Sequence, residues 1–504
     1  MNRVVLIALS LLLTLSSFIY AVDKKYIPNN SDSVFSFNAS NMAEKGEINL
    51  QNVLNSLFMQ EYADKYLEYR DDPFVADVMT NKLNDYIEFN NTSRVVFFNG
   101  YQQMSIIFDV KNITELDKLM IKMASQEDKL ISVAENAAYR YLALDEYNLI
   151  SWNSEIFSIT LKLKSNYWYN EELNKEDITN IANYVFINNT PLEDEKFISL
   201  ENETNDIYIW ANLSLLSDDS SDFAKFLFGR SYDGISKEAY KDAIITAKVN
   251  FNVGEANIVV DSYTPNYPYD SSALKKELAN NIYSFVNGEK NYGFISLAFN
   301  SQELSKHMKS IIEDIKNFPF RDEFETLEEN GIDPYKLIEL FGGDIFVSAW
   351  DDPNNSESEF PSLLISASLA DTNTFKVILE AFAEDTTDNI YTAGVYSCYI
   401  KDSILYISDN SNIIDSIIKG EVPATTLSAD KVDIAKNNTL SLYLEMNPNL
   451  SLYGIGDEYI ENFESVYLTS NILEGNHTQI LLKVNARNKE KNSLSIIKSF
   501  MSIE

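Results

Sequence analysis

The sequence predicts an α+β protein, a tandem duplication with antiparallel sheets packed against helices, and three observations carry that prediction. Apolar residues alternate, or run together at strand length, in SIIFDV, IYIWANLS and ISASLA, each bounded by polar turns. Between such runs, ELDKLMIKMA and TFKVILEAF place Leu116, Leu119, Met120 and Met123, and Phe375, Ile378, Leu379 and Phe382, at i, i+3, i+4 and i+7. Each set falls on one helical face that must cover a sheet or another helix. Successive strand-like runs are joined by hairpin-length connections, which implies antiparallel pairing with helices on a face of the sheet.

Along the chain, the first 21 residues, MNRVVLIALSLLLTLSSFIYA, combine Arg3, an apolar run and a small residue ahead of a charged VDKK. They read as a secretory signal peptide cleaved between Ala21 and Val22. The alternative is an uncleaved N-terminal anchor, since Val4 to Val22 is close to the roughly 20 residues that cross a bilayer. After that run the sequence predicts no further membrane span, so the mature chain is expected in the periplasm or outside the cell.

The first strand, SVFSFN, and a helix after it are echoed by YGFISLAF and its helix, Phe35 matching Phe294. Asn99-Gly100, between VVFF and YQQMSIIF, is a two-residue hairpin signal. Met104 matches Ser362, and Tyr139 in YRYLALDEYNLI matches Tyr396 in YSCYIKDSILYI. Further on, Pro191 pairs with Pro423 and Ile207 with Leu440. AIITAKVNFNVGEANIVVDSY around Val249 has its counterpart in SVYLTSNILEGNHTQILLKVN, and closing helices are expected in SALKKELANNIYSFV and NSLSIIKSFMS. The expected layout is therefore a signal peptide at 1–21, a first repeat half at 22–288 and a second at 289–504.

The chain carries 40 basic and 76 acidic residues, a net charge of −36, or −37 once Arg3 leaves with the leader. Such a field repels phosphate backbones and anionic surfaces, so no nucleic-acid partner is expected. The single cysteine, Cys398, excludes an internal disulfide. Its place in VYSCYIKDS, on one strand face with Tyr396 and Ile400, reads as a buried small apolar group.

YIPNNSDSVFSFNASNMAEKG (Tyr26 to Gly46) and GIDPYKLIELFGGDIFVSAWDD (Gly331 to Asp352), with Gly343-Asp344-Ile345 leading a strand, resemble an uncharacterised family of exported, duplicated envelope proteins of anaerobic gut bacteria. The resemblance runs over most of the mature chain. It implies an envelope location and carries no established activity or catalytic residues. Many members of that family look like lipoproteins; this chain has no cysteine after the leader to take a lipid.

The chemical motifs are sparse. His307 in ELSKHMKS and His477 in EGNHTQI have no histidine at ligand spacing and do not occupy equivalent places in the two halves. The first reads as a surface helix residue and the second as a turn residue. The sequence contains no HExxH, Walker loop, GxGxxG or GxSxG. The loop Trp350 to Glu357 offers Asp351, Asp352, Asn354 and Ser356 as hard oxygen ligands for calcium. It lacks the glycine and glutamate of an EF-hand, and a solvated acidic hairpin loop is the plainer reading. The run Ser217 to Asp222 reads as a helix N-cap. Trp210 alternates with Ile207 and Ile209 and so faces away from them. No catalytic residue and no cofactor is assigned. The expectation is a non-enzymatic binding or scaffolding protein of the bacterial envelope, its partner an envelope glycan, peptide or protein. The alternative is a carboxylate-dependent hydrolase acting on glycans or another envelope polymer.

Overall fold

The structure is a computed structural model and describes residues 26–47, 87–88, 93–98, 103–126, 129–134, 137–144, 148–162, 182–187, 190–213, 241–266, 271–279, 281–288, 291–314, 324–325, 328–329, 332–350, 361–474 and 476–500. The chain divides into two compact units. Unit one comprises Met1–Leu227, Asp242–Val260 and Lys489–Glu504; unit two comprises Phe228–Lys241 and Asp261–Asn488.

The strands of unit one are β1 (Ser33–Phe37), β2 (Ile87–Glu88), β3 (Ser93–Phe98), β4 (Gln103–Val110), β5 (Ser132–Val133), β6 (Arg140–Ala143), β7 (Asn148–Trp152), β8 (Ile156–Lys162), β9 (Ile207–Asn212) and β10 (Ile244–Asn252), followed by β11 (Glu255–Tyr263), which runs through the division at Val260. They form an antiparallel sheet in the order β10, β9, β1, β3, β4, β8, β7, β6, β5, with β2 beside the end of β4. Helices α1 (Ala39–Gly46), α2 (Ile113–Gln126) and α3 (Glu195–Glu201) accompany it.

Its core lies on the face carrying Val34, Ile107, Tyr208 and Trp210, where Phe197 and Leu200 of α3, Val185, Ile27 and Leu192 pack against them. Asp194 shows why α3 starts where it does. Its carboxylate caps the helix by accepting from the Lys196 and Phe197 N–H groups (2.9 and 3.0 Å), and it also accepts from the Trp210 indole at 2.9 Å. The indole, which alternation sets away from its isoleucine neighbours, is thus buried with its one donor satisfied.

Unit two contains β12 (Asn291–Ala298), β13 (Phe341–Trp350), β14 (Ser362–Leu369), β15 (Asp385–Thr387), β16 (Ile390–Ala393), β17 (Tyr396–Lys401), β18 (Ile404–Ser408), β19 (Leu440–Glu445), β20 (Phe463–Ile472) and β21 (His477–Ala486). Its described helices include α4 (Ser301–Asp314), α5 (Pro334–Glu339), α6 (Thr372–Phe382), α7 (Ser411–Lys419), α8 (Ala429–Lys436) and α9 (Asp457–Asn462). The sheet order is β21, β20, β19, β12, β13, β14, β18, β17, β16, β15, again antiparallel throughout. From β20 to β15 this is the strand order of unit one from β10 to β5.

On the inner face Phe294 stacks on Phe346 and Tyr443, with ring centroids 5.3 and 5.2 Å apart, under Ile414 and Ile417 of α7 and Ala435 of α8. Serines intervene where helix backbone comes close: Ser296 and Ser441 donate to the Ala435 and Ile434 carbonyls at 2.8 and 2.5 Å. Gly343 is a position that demands glycine. Its φ is +97°, and a Cβ there would lie 1.9 Å from the Phe299 carbonyl oxygen.

Register corrects parts of the sequence alignment. The outward row of unit one runs Ile209, Phe35, Val95, Ile106, Ile159, Ile150, Leu142, and that of unit two runs Leu442, Ile295, Val347, Ile365, Ile407, Cys398, Tyr391. Ile207 therefore does match Leu440. Phe35, however, stands where Ile295 stands, so its match with Phe294 is one residue out, a slip that turns a side chain to the other face. Met104 and Ser362 are one residue out as well. Strand order sets β6 and β7 against β16 and β17, whereas matching Tyr139 with Tyr396 sets them against β17 and β18.

The closing segments also differ from expectation. Among the described residues of SALKKELANNIYSFV there is no α-helix: a short 3-10 turn at Ser271–Ala273 is followed by bends and turns. Its amides are spent on tertiary partners, Lys275 on the Ala298 carbonyl (3.1 Å), Leu278 on Lys436 (3.0 Å) and Ala279 on the Asp344 carboxylate (3.1 Å). This drops Leu278, Ile282 and Val286 into the core of unit two. The other closing segment does form a helix, α10 (Ser493–Phe500), and it packs in unit one against α1 and β10. The turn of Asn99-Gly100 lies outside the described residues, although the strands it joins, β3 and β4, do pair.

Candidate interaction surface

Two helices occupy matching places, α2 following β4 and α6 following β14, strands that hold the same position in the two sheet orders, each helix lying over the outward row. In unit one, α2 buries Leu116, Leu119, Met120, Met123 and Ala124, and its Asp117 accepts from the Trp152 indole at 2.9 Å and pairs with Arg140. In unit two, α6 begins at Asp371, whose carboxylate accepts from the Asn373 and Thr374 N–H groups (3.1 and 3.0 Å) and the Thr374 hydroxyl (2.6 Å). Those bonds, the hydroxyl first, hold the Asp371 carboxyl below its ordinary range. Phe375 and Leu379 rest on Leu369, Tyr391, Cys398 and Leu405, yet no residue of α6 is fully buried. Burial pushes the Cys398 thiol above its ordinary range, consistent with a packed, unreactive group.

The remainder of α6 is open. Val377 is 64% exposed and Phe382 66%. Two residues after Phe382 the Glu384 N–H donates to the Thr392 carbonyl, next to the β16–β17 turn, where Val395 is 74% and Tyr396 41% exposed. Next to this corner runs β15, exposed at all three residues and paired, among the described residues, with β16 alone. The turn after it places Asp388 and Asn389 at φ +53° and +64°, the conformation of a two-residue hairpin. Glu380, Glu384, Asp385 and Asp388 are exposed on this end of α6, on β15 and in the turn after it, whereas Asp371 and Asp402 lie at the other end of the helix, where Thr372 meets Ser403. Chemically the arrangement is an apolar platform with a negative rim. It places no nucleophile beside a base.

The residues singled out from sequence fare unevenly. The calcium-loop candidates Asp351, Asp352, Asn354 and Ser356, the cleavage pair Ala21 and Val22, and the acidic run 217–222 lie outside the described residues. Among the described residues no group of three or more His, Cys, Asp or Glu side chains is arranged to hold a metal, and no helix is long and apolar enough to cross a membrane. His307 is half-buried on α4.

His477 is not a plain turn residue. It opens β21, stacks on Tyr263 with centroids 4.2 Å apart, and its Nε2 lies 2.7 Å from the Asp261 carboxylate, which also accepts from Gln479 at 3.0 Å. Sequence reasoning could not find this cluster, because His477 and Asp261 are 216 positions apart. Two further carboxylates are buried and structural. Asp206 accepts from Lys45 at 2.8 Å and the Phe251 N–H at 2.6 Å; Asp344 accepts from the Ala279 N–H at 3.1 Å.

The architecture defines an α+β protein whose antiparallel sheets pack against helices. Across 152 residues, 30% of this chain, it is 76% identical to the whole of the "Uncharacterized protein in tlyA 5'region" of Brachyspira hyodysenteriae, and the chain belongs to the family of that protein. No family model matches the sequence. Solved structures of TP0453 show only slight likeness. Crystal form III has a TM-score of 0.29 and 10% identity over 50% of this chain and 83% of that one, and crystal form I a TM-score of 0.22 and 8% identity over 80% and 99%. Neither score is high enough to bear on fold or function.

Proposed function

We propose that this chain is an exported, non-enzymatic binding or scaffolding protein of the bacterial envelope, built from two repeated α+β units and presenting the α6–β15 corner to its partner. The observation that carries the reading is the exposure of Phe382 at the end of α6 and of Val395 and Tyr396 at the β16–β17 turn, beside the exposed carboxylates Glu384 and Asp385. Large apolar side chains grouped on a folded surface mark interaction sites far more often than those scattered singly. The repeat is supported by the shared strand order and by the agreement of Ile209 and Leu442 in register. Export is supported by the leader sequence.

The test is the triple variant Val377→Ser, Phe382→Ser, Val395→Ser, compared with the parent protein in native-state binding of an apolar fluorescent dye. The variant is expected to keep its melting temperature and lose most of the dye signal. An unchanged signal means that the corner is not the accessible apolar surface. N-terminal sequencing of protein recovered from the envelope fraction checks export, with Val22 as the expected first residue.

A further inference from the structure

Resting on that reading, we propose that the occupant of the α6–β15 corner is a cationic amphipathic helix of a partner protein, apolar on one face and lysine- or arginine-rich on its flanks. The apolar part of the corner is the end of α6 and the adjoining β16–β17 turn, where Phe382, Val395 and Tyr396 are exposed by 66, 74 and 41%; Val377, 64% exposed, projects from the other side of the helix. An apolar stripe at i, i+3, i+4 and i+7 is the complementary shape.

The rim supplies the sign. Glu380, Glu384, Asp385 and Asp388 are all exposed. The basic residues of the segment do not neutralise them: Lys401 donates to the Ile417 carbonyl and sits 5.7 Å from the Phe285 ring centre, and Lys376 is half-buried. The negative field reaches inward as well, since Glu380, after burial itself, raises the Tyr391 phenol above its ordinary range. Charge complementarity therefore selects a positive partner.

Other occupants fit less well. A second copy of this chain would set one acidic rim against another, within an overall charge of −36. Phosphate-bearing surfaces meet the same repulsion. Strand addition at β15 is blunted, because the Thr386 N–H is already taken by the Asp385 carboxylate at 2.8 Å and the strand ends after three residues.

The experiment measures anisotropy of three labelled 18-residue peptides against the full chain: a leucine–lysine amphipathic helix, the same pattern with glutamate, and the same pattern with glutamine. The lysine peptide is expected to bind at least tenfold more tightly than either, and to weaken about tenfold as salt rises from low ionic strength to a Debye length near 3 Å. The Phe382→Ser, Val395→Ser variant keeps the rim and so controls for diffuse attraction; it should lose at least tenfold. The Glu380→Lys, Glu384→Lys, Asp385→Lys variant should prefer the glutamate peptide. Equal binding of the lysine peptide by the serine variant and the parent overturns the proposal. If the glutamine peptide binds as well as the lysine one and still depends on Phe382, the surface stands and the cationic assignment falls. If no peptide depends on Phe382, both fall. Melting temperatures of the variants, which change only exposed side chains, establish that they fold.

Discussion

Helices α2 and α6 occupy the same position in two sheets of the same strand order and carry the same apolar spacing, but only α2 is buried. Leu116 and Met120 are 0% exposed, whereas their counterparts Phe375 and Leu379 are half-buried and Phe382 is 66% exposed. The sheets beneath differ to match. Ile106, Ile159 and Ile150 under α2 are fully buried, while Ile365 and Ile407 at the same positions are only partly so. One unit has used its outward helix to finish a core; the other has left it as surface. Periodicity therefore specifies which face of a helix is apolar, and the depth of the packing beneath specifies whether that face is structural or available.

The largest way to break the comparison is at the chain's end. Removing 489–504 withdraws Leu494 and Ile496, 7 and 3% exposed, and the bond from the Gly254 N–H to the Lys491 carbonyl. All of these belong to unit one. Hydrogen exchange should show amides of β9 and β10 losing protection while those of β13 and β14 keep theirs. Equal loss in both units would mean that the two sheets are one cooperative body.

Next comes the pair of helices itself. Met120→Ala is expected to cost about 2–5 kcal/mol, through lost burial and a cavity that the sheet cannot refill. Leu379→Ala should cost about 1 kcal/mol, because a half-exposed side chain leaves no closed cavity. Denaturant unfolding checks both, and similar costs would show that α6 is covered in solution.

A third contrast is in pH. Burial first, then neighbouring charge, raises the phenols of Tyr139 in unit one and of Tyr406 and Tyr443 in unit two to about 12. The folded state holds these protons more tightly than the unfolded state. The stability they contribute is full below pH 10 and is lost as pH rises from 10 through about 12. With two such groups against one among the described residues, unit two is expected to lose exchange protection first on alkaline titration.

Much of this was legible in the sequence. Alternation gave the strands and the orientation of Trp210, and the i, i+3, i+4, i+7 stripes gave α2 and α6. Cys398 was readable as a buried apolar group. The failures have one physical cause, which is that distant residues decide the outcome. The 272–286 segment has helical residues, yet its amides find carbonyls on β12 and α8. His477 meets Asp261 only because β21 and β11 return to the same place. The one-residue slip at Phe35 is a matter of register, which partner strands set: Ile295, and not Phe294, stands opposite Val347 of β13 and Leu442 of β19. As for the candidate surface, the apolar residues of α6 were plain in sequence, but their exposure depends on the shallow packing below them.

The smallest effect tests that last point most directly. Met123 and Phe382 occupy matching positions at the ends of their stripes, 4 and 66% exposed. Serine at Met123 places a hydroxyl where no water reaches and removes a buried thioether chain, so a loss of about 2–4 kcal/mol is expected. Serine at Phe382 removes an already hydrated ring and should change stability by no more than about 0.5 kcal/mol. A loss of 2 kcal/mol or more at Phe382 would mean that the ring is packed, and the interaction surface would disappear with that finding. A neutral result leaves an aromatic ring held in water by an ordered helix at no gain to the fold, which is the condition expected of a residue retained for a partner.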